Sequence, residues 1–526
     1  MRDFQLPGRS PVFATNGMCA TSHPLAAKVA VQMLEAGGNA VDAAMAGAVL
    51  LGICEPQMTG LGGDCFVLIR PSDSDEIVAL NGSGRAPAAL SAAAMRDRGL
   101  AAVPPQGPEA VTVPGAVDAF CRLSRDWGRA GLKASLAPAI HYAAAGVPVA
   151  PRTAFDWARA SDALQGAARE HYLLNGAPPR PGQVFRAPQQ AEVLRRIAME
   201  GRAAFYEGEV AEDMVASLNA VGGVHTLDDF AATACEYTTP LSGPYRDVEL
   251  VEHPPNGQGA TAILMANILA QFDLAALDPW GARRAHLEAE AAKLAYDARN
   301  RFIADAGQTR RLDHMLAPET AEKLAALIDP DRPMADAAAV SESVHKETIY
   351  ITVIDRDRMV VSLIYSIFHS FGSGLASEKF GINFQNRGAG FTLAEGHPNE
   401  AHGGKRPMHT IIPAMMKRNG RVIMPFGVMG GPYQPAGHAR VLSNVVDYGM
   451  DPQAALDAPR SFPLEGQLML ERGYSDAVRA ELAGMGHDVA TPESALGGAQ
   501  AIVIDEESGV LQGASDPRKD GCALGY

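Results

Sequence analysis

The chain carries two kinds of apolar pattern. Short runs rich in β-branched residues and closed by turn formers predict strands at 65–70, 76–80, 249–252, 348–354, 359–367, 381–384, 410–416, 421–426 and 500–505, with a first strand and then a turn within 11–22. Pro71-Ser72-Asp73-Ser74-Asp75 lies between two of them and predicts a hairpin. Helical spacing predicts helices at 24–34, stopped by Gly37-Gly38-Asn39, and at 40–54, 260–272, 433–447 and 475–485. Residues 116–235 and 281–329 are mostly helical, the former broken at Pro-rich points near 148–151 and 178–181. Strands in both halves of the chain, with helices between and around them, fit a layered α+β sandwich.

One junction stands out. Ser341-Glu342-Ser343-Val344-His345-Lys346-Glu347 is polar and reads as exposed loop, and it runs straight into Thr348-Ile349-Tyr350-Ile351-Thr352-Val353-Ile354, a buried strand headed by a hydroxyl. A self-cleaving precursor needs such an arrangement. Cleavage between Glu347 and Thr348 would leave Thr348 with a hydroxyl nucleophile and its own α-amine as base, at a pKa near ~8. Asp355-Arg356-Asp357-Arg358 is a turn signal. If Arg356 and Asp357 form a two-residue turn, position 348 lies opposite 365, and Ser366 becomes a near neighbour able to hydrogen-bond Thr348.

Charge and composition narrow the field. The 45 basic and 60 acidic residues leave a net charge of −15, which argues against nucleic acid or anionic lipid as a partner. The six cysteines form neither a CxxC nor a Cys/His cluster of metal-ligand spacing, so free thiols are expected and no metal is implied. No apolar run is long enough to span a bilayer, and the N-terminal residues lack the apolar core of a signal peptide, so a cytoplasmic protein is expected. Gly60-Leu61-Gly62-Gly63 lacks the Lys-Ser/Thr of a phosphate loop and reads as a close backbone approach into the strand that follows.

Thr348 to Asp355, Ser366, Phe371-Gly372-Ser373-Gly374, Lys405-Arg406-Pro407, Gly430-Gly431 and Gly513-Ala514-Ser515-Asp516-Pro517-Arg518 occur in an order that resembles the γ-glutamyltranspeptidase family of N-terminal-nucleophile hydrolases. The likeness extends upstream through His23-Pro24-Leu25-Ala26, Gly37-Gly38-Asn39-Ala40-Val41-Asp42-Ala43, Gly60-Leu61-Gly62-Gly63-Asp64 and Val113-Pro114-Gly115. It implies a four-layer αββα fold cut into a large subunit, 1–347, and a small subunit, 348–526, which together form one catalytic domain. The expected assembly is an αβ heterodimer from one precursor, or a dimer of such heterodimers, acting on a small-molecule amide without a metal or organic cofactor. The resemblance places the oxyanion hole at Gly430 and Gly431.

The departures from the family bear on substrate. Its transpeptidases hold the glutamyl α-carboxylate with an Arg two positions before Arg85, where this chain has Ser83, so Arg85 is a displaced candidate. Arg406 reads as structural. The family's Asn for the α-amine is Phe368 here, and its acidic residue falls at Gly390, in Gln385-Asn386-Arg387-Gly388-Ala389-Gly390-Phe391. Its Ser-Ser pair is replaced by His409 and Thr410. An ammonium would find no anion and would meet Arg387. The pocket therefore suits an acyl group with a carboxylate and no α-amine, as in the oxamate amidohydrolase and glutaryl-type cephalosporin acylase members. A γ-glutamyl hydrolase or transferase is the second reading, and an uncleaved binding protein the alternative from another class. His23, His369 and His409 are candidate bases that the mechanism does not require, and 393–404, with Gly396, Pro398, Gly403 and Gly404, is a candidate lid.

Overall fold

A computed structural model describes residues 4–5, 8–334 and 348–526. Two seven-stranded sheets lie face to face. The first has the order Val12–Ala14, Leu511–Ser515, Gly498–Ile504, Arg421–Met429, Ala414–Arg418, Val248–Glu252, Leu241–Tyr245. The second runs Cys522–Gly525, Met18–Thr21, Ile349–Ile354, Val360–Ser366, Asp64–Arg70, Val78–Gly82, Glu236–Thr238. Both mix strands from either side of Thr348, so the two parts of the chain build both sheets together.

Period-two alternation sorts each strand into two layers. Ile349, Ile351 and Val353 face the helices Pro24–Glu35, Ala40–Cys54 and Leu132–Ala145 in one outer core. Tyr350 and Ile354 face the opposite sheet, with Phe66, Leu68, Val360, Ile364, Met415 and Met429. A second outer core joins the first sheet to the helices Gly259–Leu269, Ala282–Phe302 and Gln434–Val446. The result is the expected αββα sandwich. The Ala-rich helix 40–54 is buried throughout because small side chains let it sit on the sheet: a Cβ on Gly47 would lie 2.4 Å from Ile351 Cδ1. Asn39 and Asp42 start that helix with a capping box. None of the described helices is long and apolar enough to cross a membrane.

Three expectations need correction. The segment 11–22 is two strands in different sheets, because the chain crosses the sandwich at Thr15-Asn16-Gly17. Residues 381–384 form no strand, only an isolated bridge from Asn383 to Ala376, since that apolar stretch fills the outer core as loop. The turn after Ile354 has three residues rather than two. Asp355 N–H donates to Met359 O (3.2 Å), Arg358 N–H donates to Asp355 O (3.0 Å), and Arg358 is left-handed at φ +65°. Ile349 therefore pairs with Tyr365, and the next step of the same register sets Thr348 opposite Ser366. The strands Leu511–Ser515 and Cys522–Gly525 also appear where none was expected, the first running into the Gly513–Arg518 motif and the second following it.

Candidate active site

Thr348, Ser366 and Asp64 form a row across three neighbouring strands, at the end of the second sheet and on its inner face. The register puts Ser366 beside Asp64 on one side and Thr348 on the other. All three are buried. Thr348 Oγ1 lies 3.1 Å from Ser366 Oγ. Ser366 Oγ also accepts from Phe368 N–H (2.9 Å) and from Arg387 Nη2 (3.2 Å). Between the two hydroxyls either oxygen can be the donor. Glu347 and the loop before it lie outside the described residues.

Arg387 points into this row. Its guanidinium donates to Thr410 Oγ1 (2.8 Å) as well as to Ser366, and lies 4.0 Å from the Phe368 ring centroid. The side chain is fully buried, no carboxylate pairs with it among the described residues, and its Nε has no hydrogen-bond partner. Burial pulls its pKa down to about 9, with the Asp64 charge opposing, so it remains a cation at neutral pH. Phe368 holds a left-handed backbone at φ +78°, uncommon for a bulky side chain, which aims its N–H at Ser366 and lays its ring under the guanidinium. Gly390 ends the short 3-10 turn Arg387–Gly390 that carries Arg387. A Cβ there would lie 2.7 Å from the Met408 carbonyl oxygen, so the backbone leaves no room for an acidic side chain.

His409 is part of the frame. Ile411 N–H donates to its Nδ1 (3.3 Å), so Nε2 carries the proton and donates to Asp64 Oδ2 (3.1 Å). Burial, and then the Arg387 charge, push its pKa down to about 3, which keeps the ring neutral. Asp64 Oδ1 accepts from Gly84 N–H, Gly115 N–H and Gln385 Nε2 at 2.9, 3.2 and 2.8 Å. Sequence reading quoted Asp64 but gave it no role. The available signal was a charged residue heading an apolar strand behind two glycines. Those glycines do mark close backbone approach: a Cβ on Gly62 would meet Asn383 O at 2.1 Å, and one on Gly63 would meet Ser366 O at 2.5 Å.

Gly430 and Gly431 follow the strand Arg421–Met429 and lead into the helix Gln434–Val446. Both have positive φ, +112° and +53°. Met429 packs with Tyr350, two residues beyond Thr348, so the glycine pair sits at the Thr348 end of the sandwich. Gln258, which sequence reading missed, ties it in. Its Nε2 donates to Thr410 O (2.6 Å) and Gly431 O (3.0 Å), and Arg299 donates to its Oε1 (2.9 Å). A hydrogen-bonded chain thus runs from Gly431 through Gln258, Thr410 and Arg387 to Ser366 and Thr348.

The remaining candidates lie elsewhere. Arg85 is about half exposed and bonded to Asp305 (3.2 Å) and Gly404 O (3.0 Å), not to any member of the Thr348 row. Arg406 bonds Ser83 O, Ala234 O and Glu236. His23 caps the helix Pro24–Glu35 through Leu25 N–H, and His369 Nδ1 is bonded to Asn386. The segment 393–404 is tied down by Arg96 on Leu393 O and Glu400 and by Lys405 on Pro398 O and Glu400 O.

The family model described as Gamma-glutamyltranspeptidase matches residues 26–526. A glutathione hydrolase-like YwrD proenzyme of Bacillus subtilis is 35% identical over 98% of this chain and 99% of its own length. An oxamate amidohydrolase proenzyme of Klebsiella pneumoniae is 35% identical over the same shares. Among solved structures, a cephalosporin acylase from Bacillus halodurans superposes with a TM-score of 0.92 at 37% identity, covering 100% of this chain and 99% of that one.

Proposed function

Because the chain belongs to the gamma-glutamyltranspeptidase family and is an amide-bond hydrolase or acyltransferase, we propose that it is a self-processed N-terminal-threonine amidohydrolase whose substrate is a small amide with a carboxylate on its acyl part and no α-ammonium. Oxamate and glutaryl amides are the model compounds. The observation that carries this reading is Arg387, a buried cation with no carboxylate partner among the described residues, hydrogen-bonded to the hydroxyl beside Thr348. Arg can hold a carboxylate through two parallel hydrogen bonds. A γ-glutamyl substrate would bring a cationic amine to the same place, and burying that charge unpaired costs several kcal/mol.

In the precursor, Thr348 Oγ attacks the Glu347 carbonyl. The peptide bond becomes an ester and is then hydrolysed, freeing the α-amine. In turnover that amine takes the Oγ proton as Oγ attacks the substrate carbonyl. Ser366 O–H steadies the developing charge on Oγ, and the backbone N–H groups of Gly430 and Gly431 receive the carbonyl oxygen as it becomes an oxyanion. Collapse breaks the C–N bond, and the leaving amine takes the proton held by the α-ammonium. Water attacks the resulting ester by the same route and releases the acid. Arg387 fixes the acyl carboxylate throughout.

The test is a panel of oxamate, glutaryl amides and the matched γ-glutamyl amides on processed enzyme. A carboxylate-only substrate should lead in kcat/KM by about 100-fold or more, the ratio that ~3 kcal/mol of discrimination gives. Equal or better turnover of γ-glutamyl amides would replace this reading with γ-glutamyl hydrolysis or transfer.

A further inference from the structure

We propose that His286, Glu290 and His487 form a site for a zinc-type divalent cation that joins the part of the chain before Thr348 to the part after it. The three side chains meet beyond the outer helix of the first sheet, remote from Thr348 in sequence. His286 and Glu290 are four residues apart on the helix Ala282–Phe302, so they project from one face, one turn apart. His487 follows the helix Asp476–Met485 after Gly486, which takes a left-handed φ of +108°. One nitrogen or oxygen from each of the three lies within 4.8 Å of the others, and all three residues are buried.

The bonds around the cluster orient it as a ligand set. His286 Nε2 is bonded to the Asp329 carbonyl at 2.8 Å. A carbonyl only accepts, so this nitrogen carries the proton and leaves the Nδ1 lone pair facing inward. That is how metal-binding histidines are held, with the second nitrogen donating to a carbonyl or carboxylate. His286 Nδ1 faces His487 Nε2 at 2.8 Å, so without a metal the two nitrogens share one proton. A cation can take that proton's place. Two nitrogens at about 2.05 Å from a tetrahedral zinc stand ~3.3 Å apart, so the pair needs to open by only ~0.5 Å. Glu290 already accepts from Lys293 Nζ at Oε1 (2.8 Å) and from Met334 N–H at Oε2 (2.7 Å). A carboxylate has about four acceptor positions, so two remain for a metal. Two imidazoles, one carboxylate and a water make a four-coordinate set that favours zinc, cobalt or nickel over magnesium or calcium.

The site has a structural consequence. The Asp329 carbonyl and Met334 N–H are held by His286 and Glu290, so the cluster anchors the last described residues before the Thr348 junction. His487 belongs to the part that follows. A metal here would therefore fasten the two products of cleavage to each other. Sequence spacing hides the cluster, because His487 is 201 positions from His286.

Full-length protein stripped with a chelator, then equilibrated with zinc and gel-filtered, is expected to keep one equivalent by elemental analysis. Zinc should also raise its melting temperature. His487→Ala and the near-isosteric Glu290→Gln should each weaken zinc binding ~100-fold or more, as loss of a direct ligand costs at least what loss of an outer partner does, and should lose the thermal response. Crystals of the wild type soaked in zinc should show an anomalous peak between His286 Nδ1 and His487 Nε2, a readout that depends on no variant and on no activity. Zinc bound equally by wild type and both variants, or no peak at that position, would overturn the proposal and leave the two imidazoles as a proton-sharing pair.

Discussion

Replacing Arg387 by Met separates a substrate-binding role from a structural one. Depression of its pKa to about 9 corresponds to a cost of about 5 kcal/mol for keeping the guanidinium charged in the empty site. Offsetting this are hydrogen bonds from the charged guanidinium to Ser366 and Thr410, at ~1.5–3 kcal/mol each, and the Phe368 ring contact, at ~1–2 kcal/mol. The balance is near zero. Arg387→Met should therefore melt close to wild type, because removing a buried charge offsets the bonds lost with it. Linkage adds a second signature. The folded form releases its proton near pH 9, well before the unfolded chain does, so the penalty is full below pH 9 and eases above it. The melting temperature of the Met variant relative to wild type should fall accordingly at alkaline pH. Activity should move the other way. Losing the carboxylate's partner costs about 3 kcal/mol or more, so kcat/KM for oxamate or a glutaryl amide should fall ~100-fold or further. An uncharged amide of the same length should lose far less, about the tenfold expected from the Ser366 contact alone. Thermal scans and steady-state kinetics on the two substrates measure both effects. A destabilised variant that loses both substrates equally would refute the reasoning and make Arg387 a structural residue.

Three further outcomes are expected. Thr348→Ala should remain one uncut chain on a denaturing gel, whereas wild type should give fragments of 347 and 179 residues whose smaller partner begins with Thr348 by mass spectrometry. Ser366→Ala should slow processing or turnover ~10- to 1,000-fold in timed assays, the scale of a lost hydrogen bond to a reacting group. Glu55 is buried on Ser22 Oγ (2.6 Å), and desolvation raises its pKa to about 7. The folded state thus holds a proton that the unfolded chain loses near ~4.3, and stability should fall by about 4 kcal/mol as pH rises between these values. Glu55→Gln should flatten that slope in denaturation measured across pH 5 to 8.

Much of the site was visible in residue order because chemistry constrains local patterns. A polar loop running into a β-branched strand marked Thr348 as a candidate, a turn signal placed Ser366 near it, and the family resemblance singled out Gly430 and Gly431 after an apolar strand. The layers were legible for the same reason. Alternation assigns Ile349, Ile351 and Val353 to one face of the sheet, and Tyr350 and Ile354 to the other, wherever the strands pair.

Tertiary structure decided what depends on direction and on distant contacts. The two-residue turn gave way to a three-residue one because Arg358 adopts a left-handed backbone, which chain spacing does not encode, and that single residue brings Ser366 from the far face of the sheet to directly opposite Thr348. Sequence offered both Arg85 and Arg387 as candidates for the carboxylate, and packing sets the two side chains in different surroundings. Asp305 and Gly404 hold Arg85 at the surface, whereas Phe368 and Thr410 hold Arg387 against Ser366. Gln258 and the His286–His487 pair carry no local signature, and Asp64 only the mark of a charge at the head of an apolar strand, because each takes its meaning from partners on strands and helices far along the chain.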